Sequence, residues 1–204
     1  MFIDLTHLIV DDMPVYPGDS KTELIQSKHL QRDGYNNHHL TMNMHVGTHI
    51  DGPMHLTDAD SYLSDFPLYS FIGNGVVLDV SGQKEIEYKI EYETFIKVQH
   101  IVILYTGYSK FFGEHEYFTK HPVLTKPFAE LLVRKKVKMI GLDTPSPDRH
   151  PFEIHKYLFQ NKVLIAENLT NVGLLLQAKS FEVIALPLHI KADSSPARVI
   201  ARVE

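Results

Sequence analysis

The chain has 204 residues, 44% apolar and 22% charged, a balance that suits one folded domain over residues 1–204 and excludes a disordered polymer. Its formal charge of −5 argues against a nucleic-acid surface, which needs a basic field, and no run reaches the roughly 20 apolar residues of a membrane helix. Cysteine is absent, so disulfides and thiolate metal sites are excluded together, while 13 histidines supply imidazole in quantity.

Elements follow in chain order. Phe2-Ile3-Asp4-Leu5 reads as a short strand; no basic region precedes an apolar one there, so no signal peptide is read and the cytoplasm is the expected location. Met13 to Asp19 carries two prolines and a glycine and reads as a loop. Residues 40–46 alternate, with Leu40, Met42, Met44 and Val46 against Thr41, Asn43 and His45, the period of a half-buried strand. Buried strands are expected at 75–80, 101–105, 138–142 and 163–166, and a further one at 183–190, where Pro187 suits an edge or bulge. A helix is expected at 126–136, with Thr125 as N-cap and Pro127 in the first turn, and shorter ones at 154–160 and 89–96. Strands outnumber helices without regular alternation, so a mixed α/β domain with a substantial sheet is expected rather than a doubly wound fold.

Three histidines and an aspartate fall at odd positions between 45 and 55: His45, His49, Asp51 and His55. Imidazole with carboxylate is the donor set of zinc, manganese and iron(II) sites. In a continuous strand His45 and His49 would stand about 13 Å apart at about 3.3 Å per residue, which strains the reach of both rings to one ion. Gly47, Thr48, Ile50 and Gly52-Pro53 are poor helix material, so the remaining solution is a chain that ends its strand at His45 and bends at Gly47. Asp51 is then the third ligand, and His55, past the Gly52-Pro53 turn, is the nearest acid–base candidate. Any one of these histidines alone reads as a surface residue; together, on a polar strand face running into a loop, they read as a site. His155 and Glu167, the latter directly after an apolar run, form a second and by themselves weak constellation.

The run His45-x-Gly47-Thr48-His49-x-Asp51-x-Pro53-x-His55 resembles the signature of the cyclase family of metal-dependent hydrolases, which includes bacterial kynurenine formamidase and isatin hydrolase. Pro14 to Asp19, Thr106 to Ser109, Gly141 to Ser146, Ile154-His155, Ala166 to Leu169 and Leu186 to Leu188 follow in the family's order, so the likeness spans most of the chain. The resemblance implies a mixed β-sheet with barrel-like character and flanking helices, commonly dimeric or larger. It implies that His45, His49 and Asp51 bind one divalent ion, zinc or manganese, that Asp51 bridges to a second held by His155 and Glu167, and that His55 is catalytic. Tyr16 falls where kynurenine formamidases place a substrate-facing tryptophan, and this chain has no tryptophan.

The activity implied is hydrolysis of a small amide: an N-formyl arylamine such as N-formylkynurenine, released as kynurenine and formate in tryptophan catabolism, or alternatively a cyclic amide or lactone. A non-catalytic metal-binding module is the competing class, and it would not need a free histidine at position 55. Phe66 and Tyr105 could line an apolar pocket, though a core placement suits both. Asp143 could orient a ligand histidine or cap a turn. His150 could reach substrate from beside His155, and the segment 193–198 resembles a family loop without an assigned role.

Overall fold

The computed structural model describes residues 1–204. Its strands are β1 (Phe2–Asp4), β2 (Glu23–Lys28), β3 (Asn37–Thr41), β4 (His49–Asp51), β5 (Ile72–Asp79), β6 (Glu85–Ile86), β7 (Ile101–Tyr105), β8 (Val123–Leu124), β9 (Met139–Leu142), β10 (Leu164–Glu167), β11 (Phe181–Pro187) and β12 (Ser194–Val203). The α-helices are short: α1 (Leu30–Asp33), α2 (Tyr92–Phe95), α3 (His115–Thr119), α4 (Lys126–Arg134) and α5 (Glu153–Gln160). None is long and apolar enough to cross a membrane.

The main sheet runs β12-β11-β5-β7-β9-β10-β4, and β4 pairs back onto β12, closing a ring of seven strands; β1 lies along the far end of β12. Strands β5, β7, β9 and β10 are parallel neighbours, and the remaining pairings of the ring are antiparallel. This is the substantial mixed sheet expected from the sequence, with the barrel-like character that the family resemblance implies.

Period-2 geometry divides each strand between two apolar cores. Ile101, Ile103, Met139, Leu164, Ala166, Val183 and Val199 point into the ring. Val102, Leu104, Ile140, Leu142 and Ile165 point outward, where α4 and α5 cover them with Phe128, Leu131, Leu132, Leu158 and Phe159. With both faces covered, the parallel strands read as unbroken apolar runs. That is why they were legible.

Helix α4 starts where expected and keeps Pro127 in its first turn, but the Thr125 hydroxyl donates to the Ile86 carbonyl at 3.0 Å and caps nothing. The expected strand at 40–46 does not form. Pairing stops at Thr41, residues 44 and 45 make a turn, and 46–48 bend into β4. Leu40 belongs to an exposed two-stranded ribbon, β2 with β3, whereas Val46 is buried beneath the loop. Alternate apolar residues were thus recruited by two different environments, and the periodicity was not that of one strand.

The longest strand, β12, was not anticipated. Its ring-facing residues are Ala197, Val199 and Ala201, too small on average to signal a buried strand, and Pro196 interrupts the pattern. Strand β11 ends at Pro187, three residues short of the expected limit; Pro187 sits at the end of its pairing with β12, where the missing N–H is tolerated.

Candidate metal centre

Strand β4 is three residues long and does two jobs. Ile50 points into the ring, so His49 and Asp51 must point to its outer face. Opposite His49 on β10 lies Glu167, and Asp51 lies opposite both Ile165 and Ser194 of β12. The strand that closes the ring therefore presents two donors beside a carboxylate already facing outward.

His45 joins them through the bend. Gly47 has φ +65°, a left-handed conformation that glycine adopts without strain, and an added Cβ would lie 3.0 Å from Met13 Cε. The bend places His45 Nδ1 2.9 Å from Asp51 Oδ1, and the His45 and His49 rings 5.2 Å apart edge to face. Sequence reasoning located this bend correctly, although the strand before it ends at Thr41 rather than His45.

The far side of the cluster comes from α5, which lies on the outer face over β10. His155 faces inward, with Nε2 3.1 Å from Glu167 Oε1 and 4.0 Å from Asp51 Oδ2. Besides the group His45, His55 and Asp193, two trios, His45–His49–Asp51 and Asp51–His155–Glu167, each bring their donor atoms within 4.8 Å of one another, and these two share Asp51.

Each imidazole of these trios has one nitrogen tied outward and the other turned to the shared carboxylates. His49 Nδ1 donates to the Gly47 carbonyl at 2.8 Å, and His155 Nδ1 donates to Asp148 Oδ1 at 2.6 Å. His45 Nε2 faces Asp193 Oδ2 at 2.9 Å. Such outward acceptors set ring orientation and tautomer in metal sites. The result at His49 is diagnostic. Its Nε2 lies 3.2 Å from Asp51 Oδ1 and 3.3 Å from Glu167 Oε2, yet both His49 Nε2 and Asp51 Oδ1 are buried without a hydrogen-bond partner. A neutral His49 donating through Nδ1 turns a lone pair toward two carboxylates, an arrangement that needs positive charge between them. A divalent cation fits that need, and nitrogen with oxygen donors suits zinc or manganese.

The electrostatics say the same in protons. Burial works against charge on His49, but Asp51 and Glu167 outweigh it and raise its pKa well above the ordinary imidazole value. His155 is likewise opposed by burial yet pushed up to about 10 by Asp148 and Glu167, and His45 to about 9 by Asp51 and Asp193. Asp51 is held well below the usual carboxylate range by His49 and His45 despite its burial. His55 goes the other way: burial dominates and lowers its pKa below the ordinary imidazole value, which favours the neutral ring. Its ring stands 4.0 Å from His45 and 6.3 Å from His155.

A cavity of about 230 Å³ opens over the cluster, its walls including Tyr16, Phe112, Phe118, Phe152 and Pro145. Tyr16 is 40% exposed, lines this cavity and meets Phe118 edge to face at 5.8 Å. Phe66 and Tyr105 do not reach this cavity. Phe66 lines a separate groove near α4 and α5, and Tyr105 packs against Gly107 and Gly173. His150 also stays outside.

Three participants escaped the sequence reading. Asp148 accepts from the Ile154 and His155 amides through Oδ2, at 2.6 and 3.3 Å, while its Oδ1 holds the His155 ring, so one carboxylate caps α5 and aims the imidazole. Asp143, read from the sequence as either such a residue or a turn cap, caps the turn after β7 by accepting from Thr106 and Gly107. Asn168 donates to the Gly47 carbonyl at 2.9 Å and accepts from the buried Tyr117 hydroxyl at 2.8 Å, bracing the bend. Asp193 adjoins His45 and His55. Asp148 could have been suspected from an acid ahead of a helix; Asp193 lies in the 193–198 segment that resembles a family loop, but no local pattern gave it a role.

A closed mixed sheet carries a buried imidazole–carboxylate cluster, of a donor chemistry that could hold a metal, beneath an aromatic cavity, and comparison with known chains makes the class particular. The Cyclase family model, described as Putative cyclase, matches residues 3–149, and the chain belongs to that family. It is 33% identical to an uncharacterized protein of Methanocaldococcus jannaschii and 31% identical to a kynurenine formamidase of Bacillus cytotoxicus, each match covering 98% of this chain and 97% of the relative. Isatin hydrolase A from Labrenzia aggregata, solved with benzyl benzoate bound, superposes with a TM-score of 0.86 at 26% identity, over 100% of this chain and 93% of the other.

Proposed function

We propose that this chain is a metal-dependent hydrolase that cleaves a small aryl amide, with an N-formyl arylamine such as N-formylkynurenine as the leading substrate. The observation that carries the reading is the pair of donor trios sharing Asp51 under an aromatic cavity, with His55 at their edge. Similarity to kynurenine formamidases over nearly the whole chain supports it.

His45, His49 and Asp51 would hold one divalent ion, and Asp51, His155 and Glu167 a second. Such ions lower the pKa of water toward about 7 and polarise a carbonyl. His55 is the chain's own proton carrier. Being neutral, it accepts a proton as water adds to the carbonyl carbon, and it returns that proton to the leaving nitrogen as the C–N bond breaks. Tyr16, Phe112, Phe118 and Phe152 receive the aryl group and keep bulk water from the reacting atoms. Asn168 and Tyr117 keep the Gly47 carbonyl in place, and with it the His49 ring.

A cyclic amide is the second reading, favoured by the close superposition on isatin hydrolase A. Stripping the protein with chelator, reloading it with zinc or manganese, and assaying formate release from N-formylkynurenine and formanilide beside ring opening of isatin separates the two. A fully loaded protein that turns over no amide at all would leave only a metal-binding module.

A further inference from the structure

Asp193 lies just before β12, at the seam where β4 and β12 close the ring. Its backbone is placed by Gly52, whose N–H donates to the Asp193 carbonyl at 2.9 Å; a Cβ on Gly52 would stand 2.9 Å from that oxygen, so only glycine allows the approach. From there a single carboxylate oxygen, Oδ2, lies 2.9 Å from His45 Nε2 and 3.3 Å from His55 Nδ1. His45 has its other nitrogen, Nδ1, on Asp51. The Ser194 hydroxyl also lies 2.9 Å from His45 Nε2.

We propose that Asp193 is a positioning residue that sets the rings of His45 and His55 together, tying the metal-ligand loop to the acid–base histidine through one shared oxygen. The chemistry follows from the nitrogens. With Nε2–H donated to Asp193, the nitrogen of His45 that faces Asp51 is the one left to an ion that displaces its proton. With Nδ1–H turned to the same oxygen, His55 exposes an unprotonated Nε2, the nitrogen a general base needs. At 3.3 Å the His55 approach is a close charge contact rather than a formed hydrogen bond, and catalytic hydrogen bonds commonly tighten only when substrate binds. His45 and His55 stand ten residues apart in the chain, and neither constrains the other locally. The strand-closing aspartate does.

The catalytic part of this inference rests on the hydrolase reading; the ring-orienting part does not. The test uses ¹⁵N-histidine-labelled full-length protein loaded with zinc, comparing wild type with Asp193→Asn. Expected are a proton on His55 Nδ1 in wild type and shifted ring-nitrogen resonances for both His45 and His55 in the variant. Zinc stoichiometry at saturation should be unchanged, with affinity and kcat each lower by about 10- to 100-fold. KM for the best amide substrate should move far less than kcat. Asp193→Glu, which keeps the charge, should recover part of the lost affinity and kcat, and it serves if the asparagine variant fails to fold. Unmoved resonances would overturn the proposal, and so would lost zinc stoichiometry at saturation, which would make Asp193 a ligand. If no amide is turned over, resonances and zinc affinity still decide the ring-orienting role, so the two readings fail separately.

Discussion

The two halves of the donor cluster are built by different means. His45, His49 and Asp51 lie within seven residues, and one glycine bend plus the outward face of a three-residue strand brings them together. His155 and Glu167 come from a helix and a strand that meet only because α5 packs on the outer face of β10, with Asp148 pinning the helix start and the imidazole alike. Local backbone geometry makes the first half; helix-on-sheet packing makes the second. Asp51 belongs to both, and its 1% exposure means that any charge imbalance there is felt without solvent screening.

That contrast can be broken hardest at the shared residue. Asp51→Asn should abolish binding at both trios and drive turnover below detection, whereas Glu167→Gln should leave the first ion in place; elemental analysis after zinc saturation separates one ion per chain from none. His55→Ala should cost about 10²- to 10⁴-fold in kcat with both trios still loaded, since a proton carrier is lost and no ligand is. Equal loss of metal and turnover would make His55 a ligand.

A smaller effect is expected at Asp148. Asp148→Asn should weaken the Asp51–His155–Glu167 trio by about 10- to 100-fold and leave the His45–His49–Asp51 trio nearly unchanged. Competitive titration with a zinc chelator would show two affinities where wild type shows closer ones. A uniform weakening would mean that the halves are not built independently.

Protons report on the same contrast in metal-free protein. His45 and His155 have pKa values pushed up to about 9 and about 10, so protonation favours the folded state. Their contribution to stability is complete below about pH 6.5, the unfolded imidazole value, and is lost as pH rises through 9 to 10. Asp193, lowered to about 2 chiefly by its bond to His45, contributes above about pH 3.8 and loses its effect as pH falls toward 2. Denaturant titrations of metal-free protein should therefore show falling stability between pH 7 and 10. Zinc should flatten that fall, because the ion replaces the protons. A metal-free stability that rises over this range would contradict the charge arrangement described for the cluster.

The mildest perturbation is Gly47→Ala. It forces an L-residue to φ +65° and sets a methyl 3.0 Å from Met13 Cε, so a loss of about 1–2 kcal/mol is expected from equilibrium unfolding. Zinc affinity should fall at the His45–His49–Asp51 trio first.

Much of this protein was determined by its sequence alone. The parallel strands β5, β7, β9 and β10 announced themselves because burial on both faces demands unbroken apolar runs. The near donors were legible because glycine between two histidines leaves few backbone paths, and the Gly47 bend is one of them. Only the tertiary structure decided the rest. Strand β12 closes the ring with small residues that carry no periodic signal, and the pairing of Glu167 with His49 follows from ring closure between segments 118 positions apart. Asp148 and Asp193 act through single oxygens placed by helix docking and strand closure, and a carboxylate's partner across the chain leaves no trace in the residues beside it. Local geometry can be read from neighbours in sequence, because a few dihedral angles govern it; convergence of distant side chains depends on how two cores pack against one sheet.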